Sequence, residues 1–69
     1  MKLHDAILAV LQSQPQNAAT ARQISDMIAE RNLYKRGDGG NPPPSQIHAR
    51  VNNYPALFRK LPDGRIQPK

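Results

Sequence analysis

The fold of this chain is decided by the stretch PPPSQIHARVNNYP at residues 42–55, which carries prolines at both ends. Proline fits the first turn of a helix, where its missing N–H is not needed, but it disrupts a helix further in. The residue before a proline also disfavours the helical conformation. The stretch therefore predicts one short helix, helix 3, from about residue 43 to about residue 54.

Helix 3 has two different faces on a 3.6-residue wheel. Ile47, Val51 and Tyr54 fall on one side and are predicted to pack on the core. The other side lacks the glutamates and lysines that usually solubilise an exposed helix. It carries amides, a hydroxyl and a methyl group: Ser45, Gln46, Ala49, Asn52 and Asn53. Because amides and small hydroxyls contact base edges in the major groove of DNA, these five residues are the candidates for base contacts.

Some residues of helix 3 also have simpler interpretations. Asn52 and Asn53 can end the helix before Pro55, a role that suits asparagine. Arg50 lies near the apolar side and can brace the helix instead of contacting a ligand. His48 is more often a solvated or packed side chain than a base contact.

Helix 1 is predicted at about residues 3–13, where apolar residues recur at helical spacing. They are Leu3, Ile7, Val10 and Leu11. Pro15 ends this pattern. His4 lies off the apolar stripe and is expected to be a solvated side chain.

Helix 2 is predicted at about residues 21–31. Thr20 and Gln23 match a capping box, in which the threonine accepts a hydrogen bond from the first turn and the glutamine reaches back. The apolar stripe of the helix is Ile24, Met27 and Ile28. Asn32 suits its C-terminal end. The segment Ala18-Ala19-Thr20 before the helix could be a very short extended piece.

The last part of the chain is predicted to form a two-stranded hairpin at about residues 57–67 that leans on the helices. Its turn is the Pro62-Asp63-Gly64 step, because proline presets φ and glycine takes positive φ. Phe58 and Ile66, one on each strand, are predicted to point to the core. Arg59 and Arg65, which are their neighbours on the strands, then face out.

Three helices followed by a basic hairpin are the element order of a winged helix-turn-helix. The predicted fold class is mainly α with a small β-hairpin, in a single domain over residues 1–69. The three helices bury one core, the hairpin or wing covers its open side, and helix 3 projects its polar face. A helix placed in this way fits the major groove, while basic loops fix its register on phosphates.

The charge of the chain is unevenly distributed. The net charge of the 69 residues is +5, and cysteine is absent. Residues 1–38 hold five cations against four carboxylates, a net of +1, whereas residues 39–69 hold five cations against Asp63 alone, a net of +4. This excess around helix 3 and the hairpin is typical of a polyanion-binding face, and a solvated basic surface is the alternative. Short apolar runs and no visible signal peptide favour a cytoplasmic, intracellular protein without a membrane partner.

The segment 35–42 carries three glycines and is predicted to be a flexible connector. A glycine-rich loop before a helix can cradle phosphate. Here no strand precedes the loop, and the Lys-Ser/Thr pair of a nucleotide-binding loop is missing. Five carboxylates, two histidines and no cysteine show no metal or triad spacing. No cofactor, metal, small-molecule ligand or catalytic residue is expected, and the chain is not predicted to be an enzyme.

Groups of residues along nearly the whole chain match one known pattern. They are Leu3-His4-Asp5-Ala6-Ile7, Arg22-Gln23-Ile24, Ile28-Ala29-Glu30-Arg31-Asn32-Leu33-Tyr34, Pro43 through Val51, and Phe58 with Gly64 and Ile66. These groups resemble the HARE-type helix-turn-helix domain. The resemblance implies a winged helix appended to restriction endonucleases and chromatin-associated proteins, where such domains are inferred to bind DNA and to sense modified bases. A similar domain in an RNA polymerase subunit has a different role, and the Gly37–Pro44 loop departs from the family pattern.

The predicted function is a double-stranded DNA-binding module, the DNA- or modified-base-sensing domain of a larger restriction-type or DNA-associated protein. Helix 3 is expected in the major groove and the wing on the backbone. The residues predicted to contact the backbone share a positive charge: Lys35, Arg36, Arg50, Arg59, Lys60 and Arg65. For the last four of these residues, the minor groove is an alternative contact. A catalytic domain linked in the parent protein is an implied partner.

The alternative function is a protein-interaction winged helix that docks an acidic partner. A docking face is expected to expose apolar anchors, whereas helix 3 is expected to expose amides. The pattern of side chains on helix 3 therefore favours DNA.

Overall fold

The computed structural model describes residues 2–37 and 39–69, and these ranges contain three helices and three short strands. The elements are α1 (Leu3–Gln12), a 3₁₀ turn (Pro15–Asn17), β1 (Ala19–Thr20), α2 (Ala21–Arg31), α3 (Pro44–Asn53), β2 (Phe58–Lys60) and β3 (Arg65–Pro68). The mainly helical class is confirmed, and each predicted helix begins and ends within one residue of its expected position. Met1, at the start of the predicted domain, and Asp38, in the predicted connector, lie outside the described residues. No helix within these ranges is long and apolar enough to cross a membrane.

The three strands form one antiparallel sheet in the order β1-β3-β2. The predicted hairpin corresponds to β2 and β3, and the segment Ala18-Ala19-Thr20, which the sequence left open as a very short extended piece, contains β1. Ala19 and Thr20 pair with Ile66 and Arg65 and add a third strand. A two-residue strand has no alternation of its own, so β1 is identified only by its partner in the sheet.

The core is one cluster of apolar side chains from the helices and the sheet. The predicted stripes supply most of it, with two residues from the hairpin: Leu3, Ile7, Val10, Leu11, Ile24, Ile28, Ile47, Val51, Phe58 and Ile66. Met27, predicted in the stripe of α2, is only half-buried, and its Sδ accepts a hydrogen bond from Gln14 Nε2 at 3.0 Å. Ser25 is buried on the same helix instead.

Both ends of α2 are fixed as the sequence predicts. Thr20 Oγ1 accepts a hydrogen bond from the Gln23 N–H at 3.2 Å, and Gln23 Oε1 accepts one from the Thr20 N–H at 2.9 Å. Asn32 takes a left-handed φ of 55°. The N–H of Leu33 then reaches back to the carbonyl of Ile28 at 3.1 Å. These bonds satisfy backbone groups that the helix itself leaves unpaired, so α2 is a defined platform for α3.

His4 is not a solvated side chain, contrary to the prediction. Its ring stacks on Tyr54, with ring centroids 4.5 Å apart, and its side chain is only 16% exposed. The contact joins the first turn of α1 to the residue that follows α3. The cause is the packing of α1 against α3, which covers a position that lies off the apolar stripe of α1.

Candidate nucleic-acid interface

α3 presents small and amide side chains to solvent. Its core side consists of Ile47 and Val51, which are both buried. The exposed side chains opposite them form the α3 face: Ser45, His48, Ala49, Asn52 and Asn53. Four of the five residues predicted to contact bases therefore lie on one exposed surface. The fifth, Gln46, is half-buried at the edge of this face.

Asn52 and Asn53 are the last two residues of α3, and Tyr54 is its C-cap. The N–H of Tyr54 donates to the carbonyl of Val51 at 3.1 Å. Neither side-chain amide forms a hydrogen bond within residues 2–37 and 39–69. The end of the helix therefore does not engage the side chains of these asparagines. Arg50 is half-buried beside the same face.

The start of α3 is fixed by three prolines with different roles. Pro42 is buried, and its carbonyl accepts a hydrogen bond from the Ser25 hydroxyl at 2.6 Å. The carbonyl of Pro43 accepts one from the N–H of Gln46 at 3.0 Å. Pro44 is the first helical residue, where its missing N–H costs little. The bond from Ser25 therefore ties the entry of α3 to α2.

Replacing Ser25 by alanine is expected to destabilise the domain by about 1–3 kcal/mol, because the buried carbonyl of Pro42 loses its donor. The free energy of unfolding is measured by urea denaturation. Ser45→Ala, at an exposed position of α3, is the control and should change this free energy by less than about 0.5 kcal/mol. Equal unfolding midpoints for the two variants would show that the Ser25 bond does not hold α3.

The segment between α2 and α3 folds back on itself. The N–H of Arg36 donates to the carbonyl of Gly40, and the N–H of Gly39 donates to the carbonyl of Arg36, both at 2.8 Å. Gly39 has a φ of 85°, which favours glycine. Lys35 Nζ donates to Asn41 Oδ1 at 3.3 Å. The segment predicted to be a connector therefore contains a turn that backbone hydrogen bonds close.

The basic side chains of the hairpin divide between the two faces of the sheet. Arg59 lies opposite Gln67, and Lys60 lies opposite Ile66. Because successive residues of a strand point to opposite faces, Lys60 shares the inner, helix-facing side with Ile66, at its exposed border. Arg59 shares the outer side with Gln67 and Arg65. These cations therefore do not form one row. The alternation of side chains along β2 is a sequence signal that could have predicted the separation of Arg59 from Lys60.

Arg65, predicted as a backbone contact, is already engaged within the protein. Its Nε donates to Asp63 Oδ2 at 2.7 Å, and its Nη1 donates to Gln16 Oε1 at 3.3 Å. The backbone N–H of Arg65 also donates to Asp63 Oδ1 at 3.1 Å. This backbone bond, and then the guanidinium, hold the pKa of the Asp63 carboxyl below its ordinary value of 3.8.

Gln16 is a residue of this cluster that sequence reasoning misses. Gln16 and Asn17 have positive φ values of 59° and 54°, which are uncommon outside glycine. Gln67 Nε2 donates to the carbonyl of Gln16 at 3.1 Å, so β3 holds the turn before β1. No sequence signal marks this contact, since the partners of Gln16 on β3 lie 49 and 51 positions away.

Positive charge remains unneutralised around α3 and β2. Within the described ranges, Arg50, Arg59 and Lys60 form no ion pair. Asp63, the one carboxylate of residues 39–69, is paired with Arg65. The net positive charge of this half of the chain is therefore available to a ligand.

No family model, curated protein or solved structure matches this chain. The HARE-type resemblance therefore rests on the residues that carry it and stays a prediction. Among the residues that the structure describes, no group of three or more histidines and carboxylates could hold a metal ion.

Proposed function

We propose that this chain is a double-stranded DNA-binding module of the winged helix-turn-helix type. α3 enters the major groove, and cations of the loop and the hairpin, Lys35, Arg36, Arg59 and Lys60, lie on the backbone. The observation that carries the proposal is the α3 face, an exposed helical surface of amides, a hydroxyl, a methyl group and an imidazole without any carboxylate.

The chemistry of the α3 face suits base edges. An α-helix with its side chains is about 10–12 Å across, and the major groove is about 12 Å wide. The amides of Gln46 and Asn53 can each form two hydrogen bonds to an adenine edge, and the methyl group of Ala49 can meet a pyrimidine 5-methyl group. Ser45 and Asn52 supply further donors and acceptors. An uncharged face also approaches phosphates without repulsion.

Cations lie on the segments before and after α3 as well as at its edge. Lys35 and Arg36 precede α3, Arg50 lies at its edge, and Lys60 follows on β2 at the inner side of the sheet. Arg59 lies nearby in sequence on the outer side. Lysine and arginine side chains so placed can contact phosphates on either side of the groove, and such contacts position a protein on DNA without selecting sequence.

The topology agrees with this proposal. The order α1-β1-α2-α3-β2-β3, with β1 beside β3, is compatible with a winged helix in which the β2–β3 hairpin is the wing. The HARE-type resemblance supports the same fold and function. This resemblance implies that the chain is the DNA- or modified-base-sensing part of a larger intracellular restriction-type or DNA-associated protein. The chain itself binds, and any cutting of DNA belongs to a linked catalytic domain.

The proposal is tested by duplex binding of the chain at two salt concentrations. The duplexes carry unmodified, methylated or further-oxidised cytosine. The affinity should fall with salt, with a log–log slope of about −0.9 for each phosphate contact. The double variant Arg59→Ala/Lys60→Ala should weaken binding to all duplexes to a similar extent and make the slope shallower. Gln46→Ala and Asn53→Ala should instead change the discrimination between sequences.

Two outcomes would contradict the proposal. If the chain binds no duplex at low salt but binds an acidic protein tightly, its basic surface is a protein-docking surface. If the Arg59→Ala/Lys60→Ala variant changes discrimination while the amide variants weaken all duplexes equally, the assigned roles are reversed.

A further inference from the structure

The guanidinium of Arg65 is held from two sides. An arginine has five N–H groups, and Asp63 engages the one on Nε while Gln16 engages one on Nη1. One N–H on Nη1 and both on Nη2 remain. These three N–H groups can still donate to two acceptors that lie side by side. The side chain is 38% exposed, so a ligand can reach it.

The turn that carries Gln16 supports this arrangement. A positive φ at two successive residues other than glycine is strained, and such strain persists only where surrounding contacts hold it. Here the N–H of Ala18 donates to the carbonyl of Pro15 at 3.3 Å. Gln67 holds the carbonyl of Gln16 from β3. The protein therefore keeps a strained turn at the place where the side chain of Gln16 orients Arg65.

Arg65 differs in this respect from its neighbour on the outer face of the sheet. Arg59 has no hydrogen-bond or ion-pair partner within the described residues, and a free cation suits a phosphate contact. The Asp63–Arg65 pair carries no net charge, so it gains less from the attraction of phosphates. Its fixed orientation favours directional hydrogen bonds. The base edge that arginine contacts most often in this way is the O6/N7 edge of guanine.

We infer that Arg65 is a specificity-determining residue that contacts a guanine edge, and that Asp63 and Gln16 are its positioning residues. The inference rests on the proposed DNA-binding function. It assigns Arg65 to base recognition, whereas Arg59 and Lys60 stay on the backbone.

The test is selection of duplexes by the whole chain from a pool with a randomised central segment. Arg65→Lys keeps the positive charge but lacks the paired N–H donors of the guanidinium. It is expected to lose preference for guanine at one position by about 5- to 150-fold, the range for a two-bond base contact. The salt slope of its binding should stay unchanged. Arg22→Lys, at an exposed position of α2 without an assigned DNA contact, is the matched control and should keep the preference.

Two further variants test the positioning residues. Gln16→Gly removes the acceptor for Arg65 and suits the positive φ, so the turn should remain folded while the guanine preference weakens. Asn17→Gly makes the same backbone change at the next position, whose side chain does not contact Arg65, and should leave the preference intact. Asp63→Asn removes the ion pair that holds Arg65 and removes a negative charge, so affinity for random duplexes should rise while the guanine preference falls.

The possible failures can be told apart. If Arg65→Ala weakens all duplexes equally and makes the salt slope shallower by about 0.9, Arg65 is a phosphate contact and the inference is overturned. If Arg65→Lys and Asp63→Asn lower only the melting temperature, the pair is structural and the inference is overturned too. In both cases duplex binding itself survives. If the unmodified chain binds no duplex at low salt, the proposed function fails together with the inference.

Discussion

Replacing Ala49 by glutamate is expected to lower the affinity for duplex DNA by about 100-fold or more, while the domain remains folded. Ala49 is exposed on the α3 face, so the longer side chain displaces no core contact. In the proposed complex its carboxylate would lie in the groove between two rows of phosphates. Like charges placed so close cost several kcal/mol. Binding is measured by fluorescence anisotropy with a labelled duplex, and folding by urea denaturation.

Two control variants separate the effects of charge, side-chain volume and position on the affinity for DNA. Ala49→Gln adds nearly the same volume without the charge and should lose much less affinity. Gln12→Glu adds the same charge at an exposed position of α1, outside the α3 face. Its effect should be small, because salt screens charges that lie far from the interface. Equal losses for Ala49→Glu and Gln12→Glu would mean that only the net charge matters and that α3 does not enter the groove.

The parts of the fold that the sequence predicts are those with local causes. The capping-box residues Thr20 and Gln23 are three positions apart, and the bonds form as expected. The αL residue Asn32 ends α2 for an equally local reason. Periodicity places Ile47 on the core side of α3 and Ala49 on the exposed side. Local propensity and spacing are sufficient for these features, because each depends on residues within about one turn of a helix.

The parts that the sequence does not predict depend on distant partners. The hydroxyl of Ser25 bonds to a carbonyl 17 positions away, and Gln16 meets Arg65 across 49 positions. Nothing local distinguishes Ser25 from a solvent-exposed serine, or Gln16 from a glutamine in an ordinary polar turn. His4 is covered only because α3 ends against the first turn of α1. These contacts fix the entry of α3 and the orientation of Arg65, so the candidate site is less predictable than the fold.

Replacing Ile47 by alanine is expected to destabilise the domain by about 2–5 kcal/mol. Ile47 is fully buried and joins α3 to the core. A chain of 69 residues has a total stability of about 3–10 kcal/mol, at about 0.05–0.15 kcal/mol per residue. The variant should therefore lose about half of this stability, and its urea midpoint should fall well below that of the unmodified chain. Urea denaturation followed by circular dichroism measures the loss, and Ile47→Val, which costs about 0.5–1.5 kcal/mol, provides the graded control.

The same variant connects stability with the proposed function. A ligand that binds only the folded state stabilises it by about 2.7 kcal/mol when its concentration is 100 times its dissociation constant. Ile47 lies on the side of α3 opposite Ala49, so Ile47→Ala leaves the exposed face chemically intact. Excess duplex DNA should therefore restore much of the lost stability to Ile47→Ala but not to the double variant Ile47→Ala/Ala49→Glu. Recovery in both would show that DNA stabilises the chain through a surface other than α3. If neither variant recovers although the unmodified chain binds duplex, Ile47 shapes the α3 face itself and not only the stability of the domain.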